Sequence, residues 1–185
     1  MKYKYNVNLL CLLILAATTY CACKSHANTQ EPEDVVTAWI GKTISFPPSA
    51  LCQELGEIVP CKSSADKKYK ILVYTDSIGC VSCNLRIDEW KRFERELDSS
   101  IAQHVDFQFY FFPKKNSNLA DLFKRENFRK VVHIDQEDTL NKLNDLPKDM
   151  QYQCFLLDQN DKVLLVGNPT LNTSIWDLYV KTIKK

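Results

Sequence analysis

This sequence predicts an α/β fold in which a mixed central sheet carries helices on both faces, and three observations point there. First, β-rich apolar runs alternate with stretches of helical period, most clearly where Tyr69–Thr75 (YKILVYT) gives way to Asn84–Leu97 (NLRIDEWKRFEREL). Second, the apolar runs Gln153–Leu157 and Lys162–Val166 flank the polar loop Asp158-Gln159-Asn160-Asp161, the pattern of an antiparallel hairpin. Third, 185 residues that are 45% hydrophobic and 25% charged suit one core plus a short appendage.

Each element has a local reason. Val35–Ile40 (VVTAWI) reads as a short helix stopped by Gly41, and Lys42–Phe46 as an extended segment stopped by Pro47-Pro48. Residues 49–69 are polar and irregular, with no strand expected. Tyr69–Thr75 is apolar and continuous enough to be a strand buried on both faces. In Asn84–Leu97 there is no Gly or Pro, and Trp90, Phe93 and Leu97 share one stripe opposite charged residues, which makes an amphipathic helix. Val105–Phe112 reads as a second strand, Leu119–Phe128 as a helix, Val131–Ile134 as a short strand and Thr139–Leu143 as a helical turn. Thr173–Ile183 closes the chain as a helix, with Thr173 or Ser174 available as N-cap. The parallel crossovers and the final hairpin together require a mixed sheet.

Charge and composition exclude several classes of function. Lys and Arg (24) nearly balance Asp and Glu (23), so there is no electrostatic footprint for nucleic acid, and the composition is not that of collagen, a coiled coil or a disordered acidic chain. Eight cysteines stand beside only four glycines and three histidines.

The N-terminus accounts for three of the eight. Lys2 and Lys4 precede an unbroken apolar run, Leu9–Ala17 (LLCLLILAA), too short for a membrane span and suited to the core of a signal peptide. Ala22-Cys23 has the small residue followed by cysteine that resembles the cleavage point of bacterial lipoprotein signals, and that resemblance makes Cys23 the lipidated first residue of the mature chain. An ordinary secretory signal cut nearby is the alternative. Residues 1–22 are thus expected to be the signal, 23–34 a flexible tether (KSHANTQEPED from Lys24) and 35–185 the folded domain. Cleavage would leave 22 basic against 23 acidic side chains, a net charge of −1. Either signal places the domain outside the cytoplasm, where neighbouring thiols tend to oxidise.

Cys80-Val81-Ser82-Cys83 is the main chemical signal. A CxxC between a buried strand and an amphipathic helix sets its first sulfur at a helix N-terminus, where free N–H groups and the macrodipole favour the thiolate. Two intervening residues allow the second sulfur to reach the first, and Gly79 permits tight backbone geometry just before it. The expected chemistry is thiol–disulfide exchange, with Cys80 forming a mixed disulfide that Cys83 resolves. A purely structural Cys80–Cys83 bridge is the plain alternative.

The strand, Gly79-Cys80-Val81-Ser82-Cys83, the helix after it and the Gln153-Cys154-Phe155-Leu156-Leu157-Asp158 hairpin strand together resemble a thioredoxin fold over roughly residues 35–185. The order is similar to the membrane-tethered periplasmic thioredoxin-like proteins of the TlpA type, whose sheet also gains an N-terminal strand resembling Gly41–Phe46. It is also similar to uncharacterised thioredoxin-like lipoproteins of Bacteroides-type bacteria. The resemblance implies a three-layer α/β/α domain with an N-terminal extension. It also implies Cys80 as nucleophile, Cys83 as resolving thiol, and protein thiols or disulfides of the cell envelope as partners. Two positions depart from the pattern. Gln151-Tyr152-Gln153 stands where thioredoxins place a cis-proline before the hairpin strand, and Gly79 replaces the tryptophan that often precedes the first cysteine. A non-enzymatic envelope lipoprotein that uses the fold as a protein-binding module is the competing reading.

Other chemistry is poorly supported. Asn84 follows Cys83 where a c-type haem site needs histidine, and Cys52 and Cys61 are spaced too widely to complete a zinc site with the CxxC. Ser77 stands three residues before Cys80 as in a peroxiredoxin, but the proline expected near Tyr74 is absent. Without a glycine-rich phosphate loop or a GxSxG motif, no cofactor and no metal are expected. Asp76 is the nearest candidate proton shuttle, though a turn role suits it better. Cys52 and Cys61 would close a ten-residue loop, a structural disulfide contributing roughly 2–3 kcal/mol in the chain-entropy model, with a second redox pair as the sharper alternative. Cys154 is expected to pack as a small apolar residue, and His104 and His133 to play surface or core roles.

Overall fold

A computed structural model of the chain describes residues 32–48, 51–62, 66–76, 85–114 and 118–185. The chain divides into two units at Glu31–Pro32, and every described residue belongs to the second. The predicted signal (1–22), the lipidation site Cys23, nearly all of the tether and the CxxC cysteines Cys80 and Cys83 lie outside the described residues.

Helix α1 (Pro32–Trp39) begins three residues earlier than its apolar pattern suggests. Proline at the first helical position has no N–H to leave unpaired, and Glu33 and Asp34 in the first turn complement the helix dipole. The extended segment after Gly41 forms no strand of its own. Thr43 makes a single bridge to Lys162, with the amides of Gly41 and Ile44 donating to the carbonyls of Val163 and Asp161.

Residues 49–69, expected to be irregular, contain two strands, β1 (Leu51–Glu54) and β2 (Glu57–Ile58), paired antiparallel. Leu55 (φ 50) and Gly56 (φ 79) make the turn between them, and two successive positive φ values are what a tight two-residue hairpin needs. A Cβ on Gly56 would also lie 2.7 Å from the Ala120 Cβ, so glycine is required for two reasons.

Strand β3 (Tyr69–Thr75) is buried along its whole length and matches its expected bounds. Parallel to it runs β4 (Val105–Phe111), and β5 (Val132–Ile134) is parallel to β4. Strands β6 (Cys154–Asp158) and β7 (Val163–Val166) are the expected hairpin, with β6 antiparallel to β3. Because β1 pairs antiparallel with β5, the seven strands run in the order β2-β1-β5-β4-β3-β6-β7.

One face of the sheet is covered by α2 (Ile87–Glu96), α4 (Leu119–Arg125) and α6 (Thr173–Ile183), whose Trp90, Phe93, Phe123, Trp176 and Tyr179 pack on Ile71, Phe109 and Leu156. Phe93 and Trp176 stack with ring centroids 4.4 Å apart, which locks α2 to α6. A short α3 (Ser99–Ala102), capped by the Asp98 side chain, joins α2 to β4. The other face carries α1, α5 (Thr139–Asn144) and a 3₁₀ turn (Met150–Tyr152) over Leu72, Tyr74 and Phe155.

Two helix starts differ from expectation. Leu85 is helical, but Arg86 sits at φ 42 with its guanidinium donating to the Thr170 carbonyl, so α2 begins only at Ile87. At α6 the cap is Asn172, whose side chain accepts from the Ser174 amide at 3.1 Å, so Thr173 and Ser174 are the first residues of the helix.

Candidate functional site

Asp76, the residue that leads into the CxxC segment, lies just beyond the carboxyl end of β3, the end of an open α/β sheet where sites are built. Residues 77–84 connect Asp76 to Leu85, which is fully buried. Phe112 donates its amide to the Thr75 carbonyl, and Tyr74 donates its amide to the carbonyl of Gln153, so β4 flanks β3 to its last residue while β6 and the residue before it flank β3 as far as Tyr74. The Gln153 amide, 4% exposed, donates to Asp76 Oδ2 at 3.2 Å and to the Pro147 carbonyl at 3.0 Å. Asp76 is therefore held by the residue that directly precedes β6. No cis peptide bond occurs among the described residues, so Gln153 occupies the thioredoxin cis-proline region with an ordinary trans backbone.

Behind this lies an acidic layer. Tyr74 donates to Asp138 Oδ1 at 2.5 Å, and Asp135 Oδ2 accepts the Leu140 amide at 2.7 Å. Burial, followed by the Asp138 hydrogen bond, pushes the Tyr74 phenol far above its ordinary range, with Asp76 and Asp135 adding to the rise. Tyr74 is thus a neutral hydrogen-bond donor throughout the physiological range.

A second sulfur cluster lies at the edge of the sheet. Cys52 and Cys61 are joined, with their sulfurs 2.02 Å apart, and tie β1 to the chain after β2. Cys52 is buried within a strand, whereas the sequence suggested an irregular segment, and Cys61 is exposed. Register brings His133 of β5 directly opposite Cys52, Tyr110 of β4 opposite His133, and Tyr74 opposite Tyr110, so the four side chains share one row on one face. His133 Nδ1 lies 3.3 Å from Cys52 Sγ, and its ring stacks on Tyr110 at 4.2 Å with planes 3° apart. Burial lowers the His133 pKa, and the Asp106 carboxylate pulls it partly back. No sequence spacing announces this contact, which joins residues 81 apart.

The donor atoms of Cys52, Cys61 and His133 fall within 4.8 Å of one another, but sulfurs bonded to each other cannot act as the thiolates a metal needs. Cys154 is buried in β6, and burial pushes its thiol well above the ordinary range, which makes it inert.

No family model matches the chain, and no curated protein matches it. Solved structures do. A candidate thiol:disulfide interchange protein DsbE from Chlorobium tepidum superposes with a TM-score of 0.55 at 16% identity, over 78% of this chain and 98% of that one. A candidate thiol-disulfide oxidoreductase from Bacteroides vulgatus gives 0.52 at 15% identity, over 76% and 91%. Peroxidoxin BcpB from Mycobacterium tuberculosis gives 0.53 at 13% identity, over 79% and 96%. At such identities the likeness is one of fold, and the fold is thioredoxin-like.

Proposed function

Within this thioredoxin-like fold, we propose that the chain is a thiol–disulfide oxidoreductase of the cell envelope. Cys80 and Cys83 exchange disulfides with protein thiols, and Cys23 carries the lipid that tethers the domain to a membrane. The observation that carries the reading is a CxxC directly beyond the carboxyl end of the buried central strand β3 of this fold. When reduced, Cys80 attacks a partner disulfide, a mixed disulfide forms and Cys83 displaces the partner as a dithiol; in the reverse direction a partner thiolate attacks Cys80 of the oxidised pair, Cys83 leaves, and the partner's second thiol displaces Cys80, two electrons passing either way.

The competing reading, a protein-binding module without turnover, draws on one specific feature, the trans backbone and Gln153 before β6. Insulin reduction and oxidation of scrambled ribonuclease by the wild type, Cys80→Ser and Cys83→Ser separate the two. Activity lost in both variants, with a mixed disulfide trapped through Cys80 in Cys83→Ser, is the expected outcome. Equal behaviour of all three proteins would leave the binding module.

A further inference from the structure

We propose that Cys52 and Cys61 form a second redox centre: Cys61 Sγ is the atom attacked by an incoming thiolate, Cys52 Sγ is the leaving group, and His133 Nδ1 is the donor that receives it. A bridge that only braced the β1–β2 hairpin would have no use for an imidazole nitrogen 3.3 Å from its buried sulfur. Nor would it need that imidazole fixed in orientation by a parallel tyrosine ring.

The two sulfurs differ in the way exchange requires. Cys61 is exposed and followed by Lys62, and Lys62 lines a groove with His133, Arg129, Lys130, Asp106 and Glu94. Lys130 is paired to Glu94, while Lys62 and Arg129 offer positive charge to an approaching thiolate. Cys52 is 1% exposed, so it cannot itself be attacked and must be the sulfur that departs.

The balance is that of a dithiol exchange. A thiolate of a partner protein dithiol attacks Cys61 Sγ, the Cys52–Cys61 bond breaks, and a partner–Cys61 disulfide forms while Cys52 leaves with the electron pair. The Nδ1–H tautomer of His133 donates to that thiolate, which then takes a proton relayed from solvent. The partner's second thiol displaces Cys61, which is protonated in turn. The partner ends as a disulfide and the chain as a dithiol, with two electrons transferred.

Opening the bond leaves the fold in place. The β1–β5 pairs Leu51↔Ile134, Cys52↔His133 and Gln53↔Val132 hold β1 to the sheet without the cross-link. Among the described residues, the charged and titratable groups that contact His133 or line the groove it borders come from five places. Cys52 comes from β1, Cys61 and Lys62 follow β2, Asp106 and Tyr110 come from β4, Arg129 and Lys130 precede β5, and Glu94 belongs to α2.

The test uses the full chain carrying Cys80→Ser and Cys83→Ser, so its failure says nothing about the CxxC. The oxidised protein is reduced by dithiothreitol under native conditions from pH 6 to 9, and Cys52 and Cys61 are followed by differential alkylation and peptide mass spectrometry. Reduction is expected without unfolding, at a rate insensitive to urea below the unfolding transition. His133→Phe, which keeps the stacked ring, is expected to slow it about 10-fold and alter its pH profile. His133→Gln, which keeps an N–H donor, should recover part of the rate. Circular dichroism verifies that each variant is folded, and any that is not is replaced in the comparison by the other. Reduction only on unfolding, or equal rates and pH profiles with and without the imidazole, would overturn the proposal.

Discussion

Cys52 and Cys154 are each 1% exposed and each sits on a strand of the same sheet, yet their surroundings give the two sulfurs opposite chemistry. Cys154 lies on β6 in a cluster with Ile71, Leu156 and Tyr179, bonded to no other cysteine among the described residues, and burial makes it a hydrocarbon in effect. Cys52 lies on the edge hairpin, bonded to an exposed cysteine and touching an imidazole. Burial alone therefore does not silence a cysteine. What matters is whether a polar group is buried with it and whether the bonded partner reaches solvent.

The largest test of this contrast is at the centre. Tyr179 is fully buried in the cluster that holds Cys154, and its hydroxyl donates to the Gly167 carbonyl at 3.0 Å. Tyr179→Ala should cost about 3–5 kcal/mol by lost burial and the cavity left behind, read by urea denaturation. Tyr179→Phe, which removes only the hydroxyl and leaves the Gly167 carbonyl unsatisfied, should cost about 1–2 kcal/mol. Native alkylation of Cys154 should be undetectable in the wild type and appear in Tyr179→Ala. Ready labelling in the wild type would erase the distinction between centre and edge.

At the edge the effect is smaller. Cys52 and Cys61 close a loop of nine-residue separation, for which the chain-entropy model gives about 2.5 kcal/mol. Cys61→Ser should lower stability by that amount while leaving the β1–β5 pairing intact. Hydrogen exchange at the Cys52–Gln53 amides would detect loss of the ladder. If the variant lost as much stability as Tyr179→Ala, the hairpin would be integral to the core and not an edge element.

The same contrast explains what could be read from the sequence. Strand β3 was legible residue by residue, because a strand buried on both faces is an unbroken apolar run, and α6 was legible because Trp176, Tyr179 and Ile183 mark one stripe. The hairpin β1–β2 was not, since LCQE and EI carry almost no alternation. Gly56 was its one local signal, and the second positive φ fell on Leu55, which no turn rule favours. The interruption at Arg86 was equally hidden, because its guanidinium is held by Thr170, 84 residues on. The cysteines of both candidate centres could be picked out by spacing and compartment. The imidazole beside Cys52 could not, because a row across four strands is a property of register, which no single segment contains.

The smallest expected effect, the pH dependence of stability, bears on the edge alone. His133 is buried and its folded-state pKa lies below the ordinary value of about 6.5. As pH falls through 6.5 the unfolded chain takes up this proton while the folded chain does not, so the unfolded state gains protons first and stability declines with acidification. The contribution is complete above about pH 6.5 and is lost as pH drops toward the folded value. Glu57 and Asp98, whose pKa values are lowered by the Lys124 hydrogen bond and by bonds from Ser100, titrate in a separate window below the ordinary carboxylate range. Thermal unfolding of the disulfide-bonded chain between pH 8 and 5 should therefore show Tm falling below about pH 6.5, and His133→Gln should flatten that limb without touching the acid one. An unchanged limb in His133→Gln would mean that the imidazole titrates freely in the folded state, and the edge sulfur would then be no better supplied with a proton donor than Cys154 is.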